Sequence, residues 1–222
     1  MSAAPIVTFY FDPVSPYAWL ASHALGRIEA AGARIAFQPV LFAALLNAHG
    51  NLGPAEVPAK RDYIFRDVLR EAAHAGRPFK APPGHPFNPL LALRMCLAMP
   101  RQEQRRRFAE ALLIGCWENG EDLTDAAVLQ RLAGACRLNG PALLSAAQQP
   151  AIKVALAADT GQAIADGVFG VPTFRVDDEL FWGSDRIDAL IRYLQGQRID
   201  EQALADVLAR APLAQRLRKS VD

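Results

Sequence analysis

The fold is decided by residues 5–41, which read PIVTFYFDPVSPYAWLASHALGRIEAAGARIAFQPVL. Residues 5–11 are rich in β-branched and aromatic side chains and predict a strand. Apolar side chains recur at helical spacing over residues 17–31, and Gly32 is a typical C-terminal stop for that helix. Residues 34–41 predict a second short strand. Two strands joined by one helix predict a right-handed βαβ unit with parallel strands.

A helical insert follows the second strand. Residues 45–165 contain no convincing strand pattern and instead show helical segments punctuated by Gly, Pro and Asn. The predicted helix starts and caps in this region are Asn88, Pro89, Pro100, Thr124, Pro141 and Pro150, and the predicted stops are Gly76, Gly120 and Asn139. The insert therefore extends for more than a hundred residues.

The strand pattern returns near the C-terminus. Residues 171–176 and 179–182 flank Asp177-Asp178, a predicted hairpin turn. An amphipathic helix is expected after residues 183–185, and a last helix is expected near Asp200, followed by a solvated tail over residues 213–222. The order β-α-β, helical insert, β-β-α predicts an α/β protein with a thioredoxin-like fold. Its core is residues 1–41 and 166–222, and residues 42–165 form an all-helical insert that acts as a lid.

Composition excludes several classes of function. Of the 222 residues, 51% are hydrophobic and 21% are charged, so a buried core is expected. Lys and Arg number 24 against 23 Asp and Glu, which argues against a nucleic-acid partner. The N-terminus has no basic head, and the apolar run at residues 40–46 is far shorter than the roughly 20 residues of a membrane helix. We therefore expect a soluble cytoplasmic protein without a membrane partner.

Neither the cysteines nor the histidines have metal-ligand spacing. The three cysteines, twenty residues apart, are Cys96, Cys116 and Cys136, and their helical, apolar surroundings predict small buried side chains. The four histidines are His23, His49, His74 and His85, and none has a carboxylate partner at ligand spacing. No metal is predicted, and His85 receives no functional assignment.

The loop after the first strand reads Ser15-Pro16-Tyr17-Ala18. A thioredoxin fold carries its redox cysteine pair at this position, where the helix N-terminus stabilises an anion. Both cysteine positions are changed here, so a reactive sulfur must come from a ligand. The Ser15 hydroxyl can donate a hydrogen bond to such a thiolate.

Two further motifs suit the rest of such a ligand. Proline accepts a cis bond readily, and a cis Val171-Pro172 bond would expose the Val171 backbone for pairing with a peptide-like ligand. The N–H groups and side chains of residues 183–185 suit an amino-acid head, because the hydroxyl favours its carboxylate and Asp185 its ammonium. A thiol, a peptide bond and an amino-acid head describe glutathione.

Several polar and charged side chains in the chain also have a purely structural explanation. Helix capping explains Ser15, Asn88, Ser184 and Asp185, and a solvated first turn explains Lys60 and Arg61. Capping and ligand binding can coexist at one residue.

The sequence resembles the 2-hydroxychromene-2-carboxylate isomerase family, which is related to kappa-class glutathione transferases and bacterial disulfide oxidoreductases. The resemblance covers nearly the whole chain and is carried, in order, by FYFDPVSPYAWLAS (9–22), PAKRDYIFRD (58–67), GHPFNPLLALR (84–94), GVFGVPTF (167–174) and FWGSDRID (181–188).

The resemblance implies roles for individual residues. It implies that Ser15 lies beside the glutathione sulfur and that Val171, before the cis Pro172, holds the glutathione backbone. The residues implied for the γ-glutamyl end are Trp182, Gly183, Ser184 and Asp185. The residues implied for the organic substrate, a small aromatic carboxylate, are Asn47, Lys60, Arg61 and Asn88.

The activity that the resemblance implies is a glutathione-assisted cis–trans isomerisation in aromatic catabolism. The thiolate would add to a conjugated carbon of ring-opened 2-hydroxychromene-2-carboxylate, the resulting single bond would rotate, and loss of sulfur would leave trans-o-hydroxybenzylidenepyruvate. A kappa-type glutathione transferase or peroxidase is an enzymatic alternative. A non-catalytic module that binds glutathione or peptides is another, whereas the missing cysteines disfavour disulfide exchange. Relatives of this fold are often dimers, so a homodimer is possible.

Overall fold

A computed structural model describes residues 3–214 and contains one mixed four-stranded sheet. The strands are β1 (Ile6–Phe11), β2 (Arg34–Pro39), β3 (Thr173–Val176) and β4 (Glu179–Trp182), in the spatial order β2-β1-β3-β4. β1 and β2 are parallel, whereas β3 is antiparallel to both β1 and β4. The predicted α/β thioredoxin-like fold is confirmed, including its parallel βαβ unit.

Aromatic side chains on β1 explain why this strand lies at the centre of the sheet. Phe9 is opposite Phe37 on β2 and opposite Phe174 on β3. Its ring centroid lies 5.4 Å from that of Phe37 and 5.0 Å from that of Phe174, and all three rings are fully buried. Packing of these large apolar rings against one another is a main source of stability for the sheet.

Two short helices, α1 (Pro16–Ser22) and α2 (Leu25–Ala30), replace the single helix predicted over residues 17–31. The backbone N–H groups of His23 and Ala24 bond three residues back, to Leu20 and Ala21, so the chain turns tightly between the two helices. The prediction of one continuous helix is wrong because the apolar spacing continues through this turn.

Seven helices lie between β2 and β3. They are α3 (Phe42–Ala48), α4 (Pro58–His74), α5 (Leu90–Leu97), α6 (Gln102–Trp117), α7 (Ala126–Ala135), α8 (Gly140–Gln148) and α9 (Pro150–Ala165), with a 3-10 turn at Pro54–Glu56. The insert is therefore helical as predicted, and α3 is an additional element.

Several predicted helix ends in the insert are displaced. Asp125, and not Thr124, caps α7, because its side chain accepts a hydrogen bond from the Ala127 N–H at 2.8 Å. Asn139 does not end α7 but caps α8, since its side chain accepts from the Ala142 N–H at 3.0 Å. α6 begins two residues after Pro100.

The C-terminal part follows the predicted order. The hairpin between β3 and β4 turns at Asp177, whose φ is 52°, and β3 begins two residues later than predicted. A 3-10 turn at Ser184–Arg186 precedes α10 (Ile187–Leu194). α11 (Glu201–Leu208) starts after Asp200, whose side chain accepts from the Ala203 N–H at 3.0 Å. Most of the predicted solvated tail, residues 215–222, lies outside the described residues.

One hydrophobic core joins the sheet to the insert. Phe9 and Phe11 of β1 belong to the same buried cluster as Met95 of α5 and Leu112 and Trp117 of α6. The insert is thus packed directly on the strand that precedes the Ser15-Pro16-Tyr17-Ala18 motif. The division of the chain into a core and a lid stays a prediction.

Cys96 and Cys116 are buried, and burial raises the pKa of both thiols. Cys136 is only half-buried and follows α7, so the prediction of three buried cysteines is wrong at this position. Within residues 3–214 all three cysteines are free, and no group of three or more His, Cys, Asp or Glu side chains could hold a metal ion. No helix in that range combines the length and the apolar character needed to cross a bilayer.

Candidate active site

The Ser15 loop, residues 12–15, connects β1 to α1. Its backbone turns because the Ser15 N–H donates to the Asp12 carbonyl at 3.0 Å. Ser15 is the N-cap of α1, and its Oγ accepts a hydrogen bond from the Ala18 N–H at 3.3 Å. Capping therefore accounts for one lone pair of this hydroxyl and leaves its proton for another partner.

That other partner is the backbone carbonyl of Val171. Pairing of β1 with β3 brings this segment to the loop, and the Ser15 Oγ lies 3.4 Å from the Val171 oxygen. The usual O–H···O distance is roughly 2.5 to 3.0 Å, so this hydrogen bond is weak and its proton can be redirected to a stronger acceptor. The Val171–Pro172 bond is cis. Ser15 is only 6% exposed, which shields its hydroxyl from bulk water.

The turn after β4 lies next to Pro172. The Gly183 N–H donates to the Pro172 carbonyl at 2.9 Å, and Gly183 has a φ of 110°, where L side chains are strained. A Cβ at this position would lie 2.5 Å from the Oδ1 atom of Asp185. Ser184 is half-buried and Asp185 is exposed, where its carboxylate pairs with Arg186 at 3.2 Å.

Trp182 ends β4 opposite Thr173 of β3. The residue is 52% exposed, and its ring lies 4.9 Å, centroid to centroid, from that of Phe169. The indole also covers Gly170, where a Cβ would lie 2.7 Å from the Trp182 Nε1 atom. An aromatic wall therefore stands beside the cis Val171–Pro172 bond.

Asp12 is a site residue that the sequence interpretation missed. Its carboxylate is fully buried and accepts the Val14 N–H through Oδ1 and the Phe42 N–H through Oδ2, both at 3.0 Å. Burial raises the pKa of this carboxyl to about 7, although the two hydrogen bonds oppose the rise. A charged residue directly after an apolar strand was the available signal.

The insert supplies two donors to the loop that the sequence interpretation also missed. The Trp117 Nε1–H donates to the Pro13 carbonyl at 2.9 Å, and His85 Nε2 lies 2.9 Å from the Val14 carbonyl. A carbonyl oxygen can only accept, so His85 must carry a proton on Nε2. These contacts span 104 and 71 residues, which explains why no local pattern indicates them.

Of the residues implied for the organic substrate, Arg61 is connected to the loop through aromatic rings. Its guanidinium carbon lies 5.4 Å from the Phe65 ring centroid, and Phe65 lies 5.4 Å from the His85 ring. Lys60 is exposed on the first turn of α4.

Asn47 is exposed on α3. Asn88 is exposed too, and its Oδ1 accepts from the Leu90 N–H at 3.0 Å, but the N-cap of α5 is Pro89, so the predicted N-cap at Asn88 is wrong by one residue. In the part of the chain that the structure describes, no side-chain hydrogen bond joins Asn47, Lys60 or Asn88 to the Ser15 loop. Their roles stay predictions.

The structure thus brings together Ser15, Val171, Pro172 and Gly183 at one end of the sheet. The start of α1 carries a hydroxyl beside a cis proline, and serine and alanine occupy the two redox positions. These features define a class of thioredoxin-fold protein that cannot exchange disulfides with its own sulfur at this loop.

Residues 6–195 match the DsbA-like thioredoxin domain, and the chain belongs to that family. A 2-hydroxychromene-2-carboxylate isomerase from Sphingobium xenophagum is 32% identical in an alignment of 193 residues that covers 85% of this chain and 97% of that protein. Glutathione S-transferase kappa 1 from Rattus norvegicus is 28% identical over 220 residues, covering 89% of this chain and 94% of that protein.

A solved structure of a 2-hydroxychromene-2-carboxylate isomerase superposes with a TM-score of 0.79 at 23% identity. The match covers 93% of this chain and all of that one. The resemblance noted from the sequence motifs is confirmed by these relatives.

Proposed function

We propose that this protein is a glutathione-dependent isomerase that converts 2-hydroxychromene-2-carboxylate to trans-o-hydroxybenzylidenepyruvate. The observation that carries the proposal is the Ser15 hydroxyl, which stands where a redox cysteine would be and lies 3.4 Å from the Val171 carbonyl. The isomerase relative at 32% identity supports the reaction type and the substrate class.

The residues at this end of the sheet fit glutathione. Val171 lies between the Ser15 hydroxyl on one side and the Pro172–Gly183 backbone contact on the other. The chain therefore presents a hydroxyl, the backbone of the residue before a cis proline, and a turn with a hydroxyl and a carboxylate, in that order. A thiol, a peptide bond and an amino-acid head require these groups in the same order.

Each group has a defined task in this proposal. Glutathione, when bound, supplies the sulfur nucleophile that the loop lacks. Ser15 turns its weakly held proton toward the sulfur and favours the thiolate over the thiol. The Val171 backbone aligns the peptide. The residues that hold the γ-glutamyl end are Trp182, Gly183, Ser184 and Asp185, with the aspartate carboxylate facing the ammonium.

The proposed substrate-binding residues lie on the insert. The cations Lys60 and Arg61 bind the substrate carboxylate, and the amides of Asn47 and Asn88 offer hydrogen bonds to its other oxygens. Arg61 is the best supported of the four, because aromatic rings connect it to the His85 that touches the Ser15 loop.

A second candidate is a kappa-type glutathione transferase. The specific observation that favours it is the 28% identity with the rat kappa enzyme over 220 residues. The same glutathione site would serve both reactions, and only the electrophile would differ.

Turnover of 2-hydroxychromene-2-carboxylate with and without glutathione tests the proposal. Product absorbance is followed for the wild type, for Ser15→Ala and for Ser145→Ala, a control on an exposed face of α8. We expect conversion only with glutathione, a loss of at least tenfold in Ser15→Ala, and wild-type rates in the control.

Calorimetry with glutathione separates the alternatives. Absence of glutathione binding would overturn both enzymatic functions. Binding with turnover of an aryl halide but not of the chromene would favour the transferase, and binding without turnover of either would identify a non-catalytic module.

A further inference from the structure

One peptide plane in the Ser15 loop is held from both sides. The plane contains the Val14 carbonyl and the Ser15 N–H, because a peptide unit is rigid. The N–H donates to the Asp12 carbonyl at 3.0 Å, and the carbonyl accepts from the His85 Nε2–H at 2.9 Å. The first contact lies within the loop, whereas the second comes from the insert, 71 residues away.

The surroundings of His85 keep its ring in one orientation and one protonation state. The ring packs edge-on against Phe65 and Trp117, each 5.4 Å away between centroids. Burial lowers the pKa of His85, the hydrogen bond to Val14 opposes this shift, and the charge of Arg61 adds to it; the net shift is downward, so the neutral ring predominates near neutral pH. Its Nδ1 atom is buried and has no hydrogen-bond partner among residues 3–214. The Nε2–H therefore remains directed at the Val14 carbonyl.

We infer that His85 is a positioning residue, which orients the Val14–Ser15 peptide plane and thereby aims the Ser15 hydroxyl at the glutathione sulfur. The inference rests on the proposed glutathione site and adds to it a group that never touches the sulfur. The hydrogen bonds of the Ser15 side chain do not fix the conformation of the loop, since both Oγ contacts are long, at 3.3 and 3.4 Å. The aim of the hydroxyl must therefore come from the backbone.

Three variants of His85 separate the hydrogen bond from packing. His85→Phe keeps the ring between Phe65 and Trp117 and loses the donor. His85→Gln loses the ring but carries an amide N–H at about the distance of Nε2, and His85→Asn carries the same amide one methylene shorter. Folding of each variant is checked by denaturant unfolding, and the Gln and Asn pair decides the question if the Phe variant does not fold.

The readout is the pKa of the glutathione thiol bound to the protein, followed by the ultraviolet absorbance of the thiolate as the pH is varied. We expect a higher thiol pKa and a loss of about tenfold or more in kcat/KM for His85→Phe and His85→Asn, with His85→Gln restoring most of both. A role in packing alone would leave the Phe variant close to wild type and the Gln variant impaired.

The outcomes distinguish this inference from the proposed function. A wild-type protein that binds no glutathione would overturn the proposed function, and the inference with it. Glutathione binding by the wild type, with an unchanged thiol pKa in His85→Phe or with equal loss in Gln and Asn, would overturn the inference alone.

Discussion

The Oδ2 atom of Asp12 accepts a hydrogen bond from the Phe42 N–H at 3.0 Å, so a fully buried carboxylate at the end of β1 holds the first residue of α3. Within residues 3–214 no ion pair compensates this charge. Its hydrogen-bond partners are two backbone N–H groups, and the rise in pKa caused by desolvation outweighs the lowering caused by these two hydrogen bonds. The end of the central strand and the start of the insert thus share one titratable group.

The first prediction concerns the pH dependence of stability. The pKa of Asp12 rises from 3.8 to about 7 on folding, so the folded protein keeps a proton that the unfolded chain releases. The contribution of Asp12 to the free energy of unfolding therefore falls as the pH rises from about 4 to 7 and is level above that, a change on the order of 4 kcal/mol. Denaturant unfolding across this window should show that the free energy of unfolding of the wild type falls with rising pH. The Asp12→Asn variant should not show this fall.

The matched control is Asp62→Asn, at an exposed position on α4. Its stability should follow the wild type at every pH. Parallel curves for wild type and Asp12→Asn would contradict the burial argument.

The second prediction concerns Trp117. This ring is fully buried, stacks on Phe79 at 6.0 Å and donates to the Pro13 carbonyl. Trp117→Phe removes that donor and leaves a void, which should lower the free energy of unfolding by about 2 to 3 kcal/mol. Trp182→Phe, at a residue that is 52% exposed, should cost less than about 1 kcal/mol. Equal losses in the two variants would be inconsistent with the buried hydrogen bond.

The third prediction concerns the turn after β4. Gly183→Ala places a Cβ 2.5 Å from Asp185 Oδ1 at a backbone φ of 110°, so both the turn and the Asp185 side chain must shift. We expect a loss of stability of roughly 1 to 3 kcal/mol and at least tenfold weaker glutathione binding by calorimetry.

Gly134 is the matched control for Gly183, because a Cβ added at Gly134 causes no clash. It lies in α7, where an added Cβ meets nothing within 4 Å. Gly134→Ala should raise the free energy of unfolding by about 0.5 to 1 kcal/mol and leave glutathione binding unchanged. Intact glutathione binding in Gly183→Ala would rule out this turn as the γ-glutamyl site.

The fourth prediction concerns recognition of the substrate carboxylate. If Arg61 binds it, Arg61→Gln should raise KM for 2-hydroxychromene-2-carboxylate about tenfold, while KM for glutathione stays unchanged, since one charge-assisted hydrogen bond is lost. Arg66→Gln, at an exposed position on the same helix, is the control and should match the wild type. An unchanged chromene KM in Arg61→Gln would remove Arg61 from the substrate site.

Local patterns predicted those parts of the fold that depend on local physics. β4 has the predicted bounds, residues 179–182, because alternating and aromatic side chains end there at Gly183. The break at His23 was missed because the chain bends without interrupting its apolar spacing. The cap at Asp125 was missed in favour of Thr124 because both residue types cap helices and lie side by side.

The candidate site divides in the same way. Ser15, Val171 and Gly183 could be chosen from sequence because each belongs to a short motif at the end of a strand. His85 and Trp117 could not, since each acts on the loop through a contact that exists only after the insert has packed against β1. Asp12 lies within the loop, but its unusual pKa arises from complete burial in the folded protein, which no residue spacing indicates.

The two donors from the insert limit how this protein can be re-engineered or diversified. A chimera that grafts a different helical insert onto this sheet would leave the Pro13 and Val14 carbonyls without their donors. A successful graft must therefore bring an indole and an imidazole, or equivalent donors, to the same two oxygens. The packing of the insert and the conformation of the Ser15 loop are therefore inherited together in this architecture.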